Sequence, residues 1–523
     1  MIARRRLVLA ASAALLGPPR PGHAATRELC FRLYEDPETL WVGHTLSGLA
    51  ILVSGTYLVE RLVYLGTDGR PLPWLAESWA FSDDSRQITF KLRQGVKFHD
   101  GTDLDAAAVK FNFDSILDPA RASPTRPAIA ALESVDVVDP ATVRFNFSRP
   151  FAPFMTLLGW SSFGVNSPAA VRRLGRQYGR RPVGSGPYRF VSWAPGSEIV
   201  LERNPNFRQL REDAVNKGAP YADRIILSVI PEDAVAYSAL LTRELSAADL
   251  QSDSVERLPP GRNFKVIRDE YSKNLSFIEF AFRPPFDDVR MREAISYALD
   301  RASILRAAYA GYGVVVRGPM SRGIADYDEE VAREFGTSYD PARARAILAE
   351  LGWRDPGRRG VLSRDGREAR FELRSYASLA NVDRLLAVIQ RNLADVGVQI
   401  SISKSDWGTH YPSLLQDGWD MNYARWFYID PIVLVRLFRH PGHRGKLPRL
   451  EGLEEALTGI EETLDPARRQ VFISQAQKIL LQNRVIVPLL TSHSIMVLQP
   501  GLENYVPDHL GFINPGDLRM ADW

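Results

Sequence analysis

The chain of 523 residues is long enough for two or three compact units rather than one. Its hydrophobic content of 45% is ordinary for a globular protein, and outside the N-terminus no apolar run is long enough to span a membrane. Cys30 is the only cysteine, which excludes an intrachain disulfide and a metal site built on cysteine ligands.

Residues 1–25 are predicted to be an export signal. Three arginines, Arg4–Arg6, precede the apolar run Leu7–Leu16, and Gly22–Ala24 offers small residues for cleavage. The arginine pair is compatible with the twin-arginine route as well as with the Sec route. A disordered basic tail is the alternative. We therefore expect a soluble periplasmic protein.

The signal also accounts for the positive charge of the chain. Residues 1–24 contain four arginines and no acidic residue, so their removal changes the formal charge from +3 to about −1. A mature chain with this balance gives no electrostatic reason to expect a nucleic-acid partner.

The first half of the chain shows strand and helix patterns in alternation. Gln87–Arg93 alternates apolar and polar residues, which predicts a half-buried strand. A turn at His99–Gly101 is followed by a helix predicted from about Leu104 to Leu117, with Thr102 or Asp103 as its N-cap.

The second half continues the same alternation. Asp287–Asp288 is predicted to cap one long helix that runs to about Leu305, and Asp340 to cap a helix that Gly352 ends. A strand–helix–strand unit follows, and such a unit implies a parallel pair of strands with a right-handed crossover. Its parts are Phe371–Ser375, Asp383–Val396 and Val398–Ile402. The fold class is therefore α/β.

Motifs of enzymatic chemistry are missing from the sequence. It contains no G-x-x-x-x-G-K-[ST], H-E-x-x-H or G-x-S-x-G pattern. Ser401–Lys404 matches S-x-x-K, but the companion motifs of that chemistry are absent. We therefore predict that the protein is not an enzyme.

Five segments, in this order along the chain, resemble the bacterial extracellular solute-binding proteins of family 5, which bind peptides, nickel or opines. Each segment alone is modest, but the ordered set covers nearly the whole chain after the signal. The segments are residues 68–79 (DGRPLPWLAESW), 89–101 (TFKLRQGVKFHDG), 183–205 (which includes VGSGPY and LERNP), 285–301 (PFDDVR to ALDR) and 339–353 (YDPARA to LGW).

The resemblance implies a two-lobed periplasmic binding protein of type II. Lobe I would comprise residues 26–270, with an inserted subdomain at about 62–182, and lobe II residues 271–486, before residues 487–523 return to lobe I. It also implies a monomer that closes around a small ligand and delivers it to an ABC permease and its ATPase subunits. A periplasmic chaperone or enzyme on the same scaffold is the alternative.

The ordinary peptide-binding pattern of the family is broken in this sequence. In peptide-binding members, an aspartate four residues before the proline of an acidic–proline pair binds the α-amine of the peptide. The pair here is Asp430–Pro431, and Phe427 occupies that position. A phenyl ring offers a cation–π face but no ion pair. Asp430 itself is expected to be structural.

The segment Glu60–Asp118 resembles the nickel-chelate branch somewhat more closely. That branch has a histidine ligand twelve residues after the same proline, a position that His443 occupies here. Imidazole suits nickel, but a bound organic chelator would have to complete the coordination sphere. No intrinsic cofactor is expected, and nickel would be cargo. A solvated loop histidine is the alternative.

Four further residues and Arg121 are candidates for ligand contacts. Arg425 replaces an aromatic residue of the nickel branch and suits bidentate pairing with a carboxylate, although a structural or solvated arginine is equally compatible. Arg121 matches a carboxylate-binding arginine of that branch. Trp426, Phe427 and Tyr428 would line the cavity, unless strand alternation places half of them in the core. A nickel chelate and a short peptide-like carboxylate both stay open as the solute.

Overall fold

The computed structural model describes residues 26–66, 68–270, 272–355, 357, 360–376, 380–439 and 446–523. The export signal expected at residues 1–25 and the candidate ligand His443 lie outside these described residues.

The part of the chain up to residue 268 is rich in strands and short helices. Its strands are β1 (Glu28–Leu33), β2 (Val63–Leu65), β3 (Pro71–Pro73), β4 (Ala76–Phe81), β5 (Gln87–Leu92), β6 (Leu132–Asp139), β7 (Thr142–Phe147), β8 (Tyr188–Ala194), β9 (Glu198–Arg203), β10 (Arg224–Val229), β11 (Ala247–Asp249) and β12 (Lys265–Arg268). Its helices are α1 (Gly48–Val53), α2 (Ala106–Leu117), α3 (Phe154–Leu158), α4 (Pro168–Leu174), α5 (Asp233–Leu241) and α6 (Ser252–Val255).

The remainder of the chain contains the longer helices. Its strands are β13 (Asn274–Phe280), β14 (Gly313–Val315), β15 (Ser363–Arg364), β16 (Arg367–Glu368), β17 (Arg370–Tyr376), β18 (Gln399–Ser405), β19 (Met421–Phe427), β20 (Ile486–Ser492), β21 (Ile495–Leu498), β22 (Leu502–Glu503) and β23 (Arg519–Met520). Its helices are α7 (Val289–Ala298), α8 (Arg301–Tyr309), α9 (Glu329–Phe335), α10 (Pro341–Glu350), α11 (Ala380–Ala394), α12 (Trp407–Leu414), α13 (Ile432–Phe438), α14 (Leu453–Glu462) and α15 (Pro466–Gln482).

Two mixed sheets organise these elements. The first has the strand order β12-β21-β11-β1-β10-β9-β8, and the second has the order β14-β20-β13-β19-β17-β18. Between β1 and β8 the chain builds a separate antiparallel sheet of order β4-β5-β7-β6. Each of the three sheets has its own cluster of buried apolar side chains. Every residue of β13 and β20 is buried, which is typical of central strands covered on both faces.

The half-buried strand predicted at residues 87–93 is present as β5, but the helix after it begins later than expected. Neither Thr102 nor Asp103 caps α2. The cap is Asp105, whose Oδ1 accepts a hydrogen bond of 2.8 Å from the N–H of Ala108. Thr102 instead donates to Asp100 across the turn, and Asp103 pairs with Lys97. The side-chain oxygens of both predicted caps are thus used within the preceding loop.

The single long helix predicted after Asp288 is wrong. Asp288 does cap α7, but this helix ends at Ala298 and α8 begins at Arg301. The break occurs because Asp300 acts as a second N-cap and accepts a hydrogen bond of 3.1 Å from the N–H of Ser303. The short polar side chain of Asp300, although it lies within an apolar pattern of helical period, therefore begins a new helix.

The strand–helix–strand unit is confirmed. Strands β17 and β18 pair in parallel, from Arg370 opposite Gln399 to Tyr376 opposite Ser405, and α11 connects them. The helix predicted after Asp340 is confirmed as α10, with the Asp340 side chain accepting from the N–H of Arg343.

Candidate ligand-binding cleft

The chain crosses between the two large sheets twice, at neighbouring places. It leaves the first sheet after Arg268 and enters the second at Asn274, then returns between Ser492 and Ile495. Because β12 pairs with β21 and β13 pairs with β20, the two connections run side by side. Two adjacent connections between two rigid bodies are the geometry of a hinge.

Pairing with β13 brings the end of β19 to these connections. The strands are antiparallel, with Phe427 opposite Asn274 and Arg425 opposite Ser276. Since β13 begins where the chain crosses between sheets, β19 must end there. The predicted residues 425–427 therefore lie at the junction of the two sheets.

Arg425 lies near the end of β19 and lines a pocket of the second sheet. Its Nη2 donates to the Oγ of Ser492 over 3.4 Å. Its charge acts on Tyr34, which follows β1 of the first sheet, and on Tyr376, the last residue of β17 in the second. The bond to Ser492 engages a single N–H of the five that a guanidinium offers. Arg425 thus lines a pocket with Tyr376 of the second sheet, and its charge also acts on Tyr34 of the first.

Two carboxylates of the first half of the chain, Glu35 after β1 and Asp249 at the end of β11, act on Tyr34. Burial, followed by the charges of Glu35 and Asp249, raises the pKa of Tyr34 to about 12, and Arg425 opposes the shift. Burial also raises the pKa of Asp249, while nearby Arg32 lowers it. Two carboxylates and Arg425 thus act on the same tyrosine, and the carboxylate of Asp249 also lies 3.9 Å from Arg32.

A pocket lies beside Arg425 within the second sheet. Its lining combines an aromatic rim with polar groups of β19 and α12. The lining residues are Tyr376, His410, Leu414, Asn422, Ala424, Arg425 and Trp426.

Side chains alternate between the two faces of β19 and of the residue after it, so Phe427 lies on one face and Trp426 and Tyr428 on the other. The side chain of Phe427 is 47% exposed, and its ring centroid lies 5.5 Å from that of Trp160 in the first half of the chain. Trp426 and Tyr428 instead pack against the core cluster beside α13, with ring centroids 6.2 Å apart. The structure thus brings Arg425 and Phe427 to the gap, with Trp426 at the pocket edge and Tyr428 turned to the core.

Arg121 makes its described contacts elsewhere. It ends a 3₁₀ turn, Pro119–Arg121, and lies 3.7 Å from Asp118 and 5.9 Å from the ring centroid of Phe111. Together with burial, its charge lowers the pKa of His44 to about 4. These contacts lie around α2 and not in the Arg425 pocket, and a ligand role for Arg121 stays a prediction.

Asp430, close to the cleft, has a structural partner. Its carboxylate is 1% exposed at the side chain and forms a bidentate pair with Arg469 of α15, at 2.6 and 3.1 Å. Its Oδ1 also accepts from the N–H of Ile432. This pairing anchors the end of β19 to α15.

Several residues at the gap are not identifiable from local sequence. Tyr34, Trp160, Asp249 and Tyr376 come from four distant segments and carry no motif. The one sequence feature that could predict them is a polar or aromatic residue at the end of a strand, since strand ends converge at the edge of a sheet. That signal needs the strand order, which the sequence does not contain.

Two further features bear on the class of protein. Within the described ranges, no helix is long and apolar enough to cross a membrane. The same part of the chain holds no group of three or more His, Cys, Asp or Glu residues placed to bind a metal ion.

Comparison with known proteins agrees with this geometry. Residues 70–446 match the family of bacterial extracellular solute-binding proteins, family 5 (middle). The chain is 26% identical over 451 residues to the glutathione-binding protein GsiB of Escherichia coli K12, and the match covers 83% of each chain. It is 25% identical over 462 residues to GsiB of Salmonella typhimurium LT2, over 85% of this chain and 86% of that one.

Solved structures share the fold. NikA from Brucella suis, in complex with Fe(III)-EDTA, has a TM-score of 0.83 at 23% identity and covers 94% of this chain and 99% of its own. The oligopeptide-binding protein AppA from Bacillus subtilis, in complex with a nonapeptide, has a TM-score of 0.76 at 20% identity, with 95% and 99% covered. NikZ from Campylobacter jejuni, in complex with Ni(L-His), has a TM-score of 0.75 at 20% identity, with 93% and 97% covered.

A cleft between two sheets joined by paired connections defines a two-lobed solute-binding protein of the class that serves ABC importers. The chain belongs to the bacterial extracellular solute-binding proteins of family 5. The predicted α/β two-lobed fold and the predicted function class are confirmed. The relatives are solute-binding proteins and not enzymes, as the sequence analysis expects.

Proposed function

We propose that this protein is exported to the periplasm and captures a small carboxylate-bearing solute between its lobes as a monomer. It then presents the closed form to an ABC permease with its ATPase subunits. Lobe I would comprise residues 26–270, with the inserted subdomain at about 62–182, and lobe II residues 271–486, before residues 487–523 return to lobe I. The strand orders support two such lobes, with β20 (Ile486–Ser492) in the second sheet and β21 (Ile495–Leu498) in the first.

The observation that carries this proposal is the position of Arg425, which lines a pocket with Tyr376 near the end of β19, where the chain crosses between the sheets. A carboxylate held bidentately by its guanidinium would replace water lost from the closing gap. Such a ligand binds the closed form better than the open one, because only closure brings Tyr34 toward Arg425. Differential affinity of this kind shifts the population toward closure.

The charges around the gap favour a short, zwitterionic, peptide-like solute. Its carboxylate would pair with Arg425, and its ammonium group would lie near Glu35 and Asp249. Glu35 and Asp249 would then provide the acidic partner that Phe427 cannot, with Asp249 also 3.9 Å from Arg32. Relatives named as glutathione-binding proteins make glutathione, which has two carboxylates and one amine, the first solute to test.

A nickel chelate is the second candidate. Family-5 structures hold Fe(III)-EDTA and Ni(L-His), and the carboxylates of such chelators suit Arg425 equally well. Nickel would then be cargo, with His443 as the candidate protein ligand.

Thermal unfolding of refolded, ligand-free protein distinguishes these solutes. Glutathione, dipeptides, tripeptides and nickel with histidine are added separately, each at up to 1 mM. We expect glutathione or a short peptide to raise Tm, since a ligand at a hundredfold excess over its Kd stabilises the folded state by about 2.7 kcal/mol. Nickel with histidine is expected to give a smaller shift.

If nickel with histidine alone raises Tm, and His443→Ala abolishes that rise, the solute is a nickel chelate and not a peptide. If no carboxylate-bearing compound raises Tm, the proposed site is wrong.

A polar clasp between the inserted subdomain and lobe II offers a separate test of closure. Arg149, which follows β7, pairs with Glu461 of α14 at 2.8 Å, and the N–H of Ala152 donates to the backbone oxygen of Glu461. The other carboxylate oxygen of Glu461 binds Arg439 at 2.7 Å. Burial opposes ionisation of Glu461, but Arg439 and Arg149 outweigh it and lower its pKa from the ordinary 4.5.

Glu461→Gln is therefore expected to loosen the closed form and to speed ligand dissociation about fivefold, as for the loss of about 1 kcal/mol of polar interaction. Small-angle scattering of the liganded protein should show a larger radius of gyration. Because the folded pKa is lowered, the clasp is intact above pH 4.5 and weakens as the pH falls below it. Glu462→Gln is the control, since Glu462 contacts Arg149 at 3.3 Å on the surface. Equal dissociation rates for the two variants would contradict the clasp.

A further inference from the structure

The ladder between β13 and β20 ends at the hinge in an unusual way. Its last backbone pair is Ser276 opposite Leu490, and the same register would place Asn274 opposite Ser492. At that position the Asn274 side chain replaces backbone pairing. Its Nδ2 donates to the backbone oxygen of Ser492 over 2.8 Å, and its Oδ1 accepts from the Ser492 N–H over 3.1 Å.

We call these two hydrogen bonds between the Asn274 side chain and the Ser492 backbone the Asn274 bracket. Both residues of the bracket are buried. Asn274 is 4% exposed and Ser492 3% exposed. The backbone oxygen of Asn274 also accepts from the Oγ1 of Thr491 over 2.6 Å. A side-chain carboxamide that satisfies both backbone groups of its partner ends a ladder without leaving buried polar atoms unpaired. Beyond the bracket, the N–H of Asp269 donates to the backbone oxygen of Ser494 over 3.0 Å, where the chains cross between lobes.

The hydroxyl of Ser492 connects the bracket to the cleft. It donates to the Oδ1 of Asn274 over 3.3 Å and accepts from the Nη2 of Arg425 over 3.4 Å. Asn274, Ser492 and Arg425 belong to β13, β20 and β19, which lie side by side in the sheet. The guanidinium is thus held by a group that is itself fixed at the hinge.

We propose that Ser492 is the positioning residue for Arg425 and that the Asn274 bracket fixes Ser492 at the end of the hinge. The carboxylate-binding geometry and the lobe hinge then share one hydrogen-bonded chain. This inference rests on the proposed role of Arg425 as the carboxylate partner of the solute. Ser492 touches no solute and acts through the orientation of the guanidinium.

Arginine reactivity measures this positioning in the ligand-free protein. Phenylglyoxal modifies free guanidinium groups, and peptide mass mapping gives the rate at Arg425, with Arg121 as the internal reference. We expect Ser492→Ala to raise the Arg425 rate about three- to fivefold, the effect of losing one hydrogen bond. Ser492→Thr keeps the hydroxyl and should restore the wild-type rate. If Ser492 were merely structural, the rate of Arg425 modification would not depend on whether residue 492 carries a hydroxyl group.

Asn274→Ala tests the bracket itself. It should raise the Arg425 rate as Ser492→Ala does and also speed hydrogen exchange at the Ser492 amide, which loses its acceptor. Ser492→Ala should leave that exchange unchanged. An unchanged Arg425 rate in Ser492→Ala, or slow Ser492 exchange in Asn274→Ala, overturns the inference. Binding of glutathione by Arg425→Ala with wild-type affinity would instead refute the proposed function and leave the reactivity result standing.

Discussion

Arg425→Ala is expected to weaken binding of a carboxylate-bearing peptide at least thirtyfold. Removing one partner of a desolvated, hydrogen-bonded charge pair costs about 2–5 kcal/mol, since the other charge stays buried and unpaired. Arg425 supplies such a partner, because it lines a pocket with Tyr376 near the end of β19, beside the connections between the lobes. Isothermal titration with glutathione, or with the peptide that raises Tm most, measures the change.

Matched variants show which property of Arg425, its charge or its planar guanidinium, is responsible for the loss of affinity. Arg425→Lys keeps the charge but not the planar fork, and we expect it to recover part of the affinity. A neutral amide of the same ligand should bind wild type and Arg425→Ala almost equally. Arg121→Ala is the comparison within the chain, because its described contacts are with Asp118 and Phe111. An Arg425→Ala affinity within threefold of wild type rules out the carboxylate role.

Asp430→Ala is expected to lower the free energy of unfolding by about 3–5 kcal/mol. The substitution leaves Arg469, whose side chain is 10% exposed, as an uncompensated buried charge. It also removes the acceptor for the Ile432 N–H at the start of α13. Urea unfolding followed by tryptophan fluorescence measures the loss.

Asp465→Ala is the matched control for this prediction. Asp465 caps the same helix, α15, through the N–H of Arg468, but it lies at the surface. Loss of such a cap costs about 1 kcal/mol. If Asp430→Ala destabilises the protein no more than Asp465→Ala does, the buried pair is not the anchor of the β19 end.

Local chemistry explains which elements are predictable from sequence. The alternation in β5 and the Asp340–Pro341 start of α10 depend on residues within a few positions of each other. The parallel β17–β18 pair is predictable because a short connecting helix constrains its handedness. Asp105 and Asp300 are not predictable as caps, since several polar side chains compete near each helix start and the tertiary contacts decide among them.

The candidate site also contains residues that are predictable from local sequence and residues that only the fold brings together. Arg425 and Phe427 are predictable as candidates because they lie at a fixed spacing from the Asp430–Pro431 pair. Tyr34, on which Arg425 acts, and Trp160, which contacts Phe427, lie more than 250 residues away along the chain, and only the tertiary structure brings them close. Arg121 has the right chemistry for a carboxylate, yet its described contacts lie around α2.

By itself, the sequence determined the class of this protein: five ordered segments specify the α/β solute-binding scaffold through turns, caps and alternating strands, all of which are short-range features. The tertiary structure alone decided how the cleft is charged and how its cation is held. A cleft between lobes is made by long-range pairing, so Asn274, Ser492 and Arg425 become neighbours only when β13, β20 and β19 lie side by side.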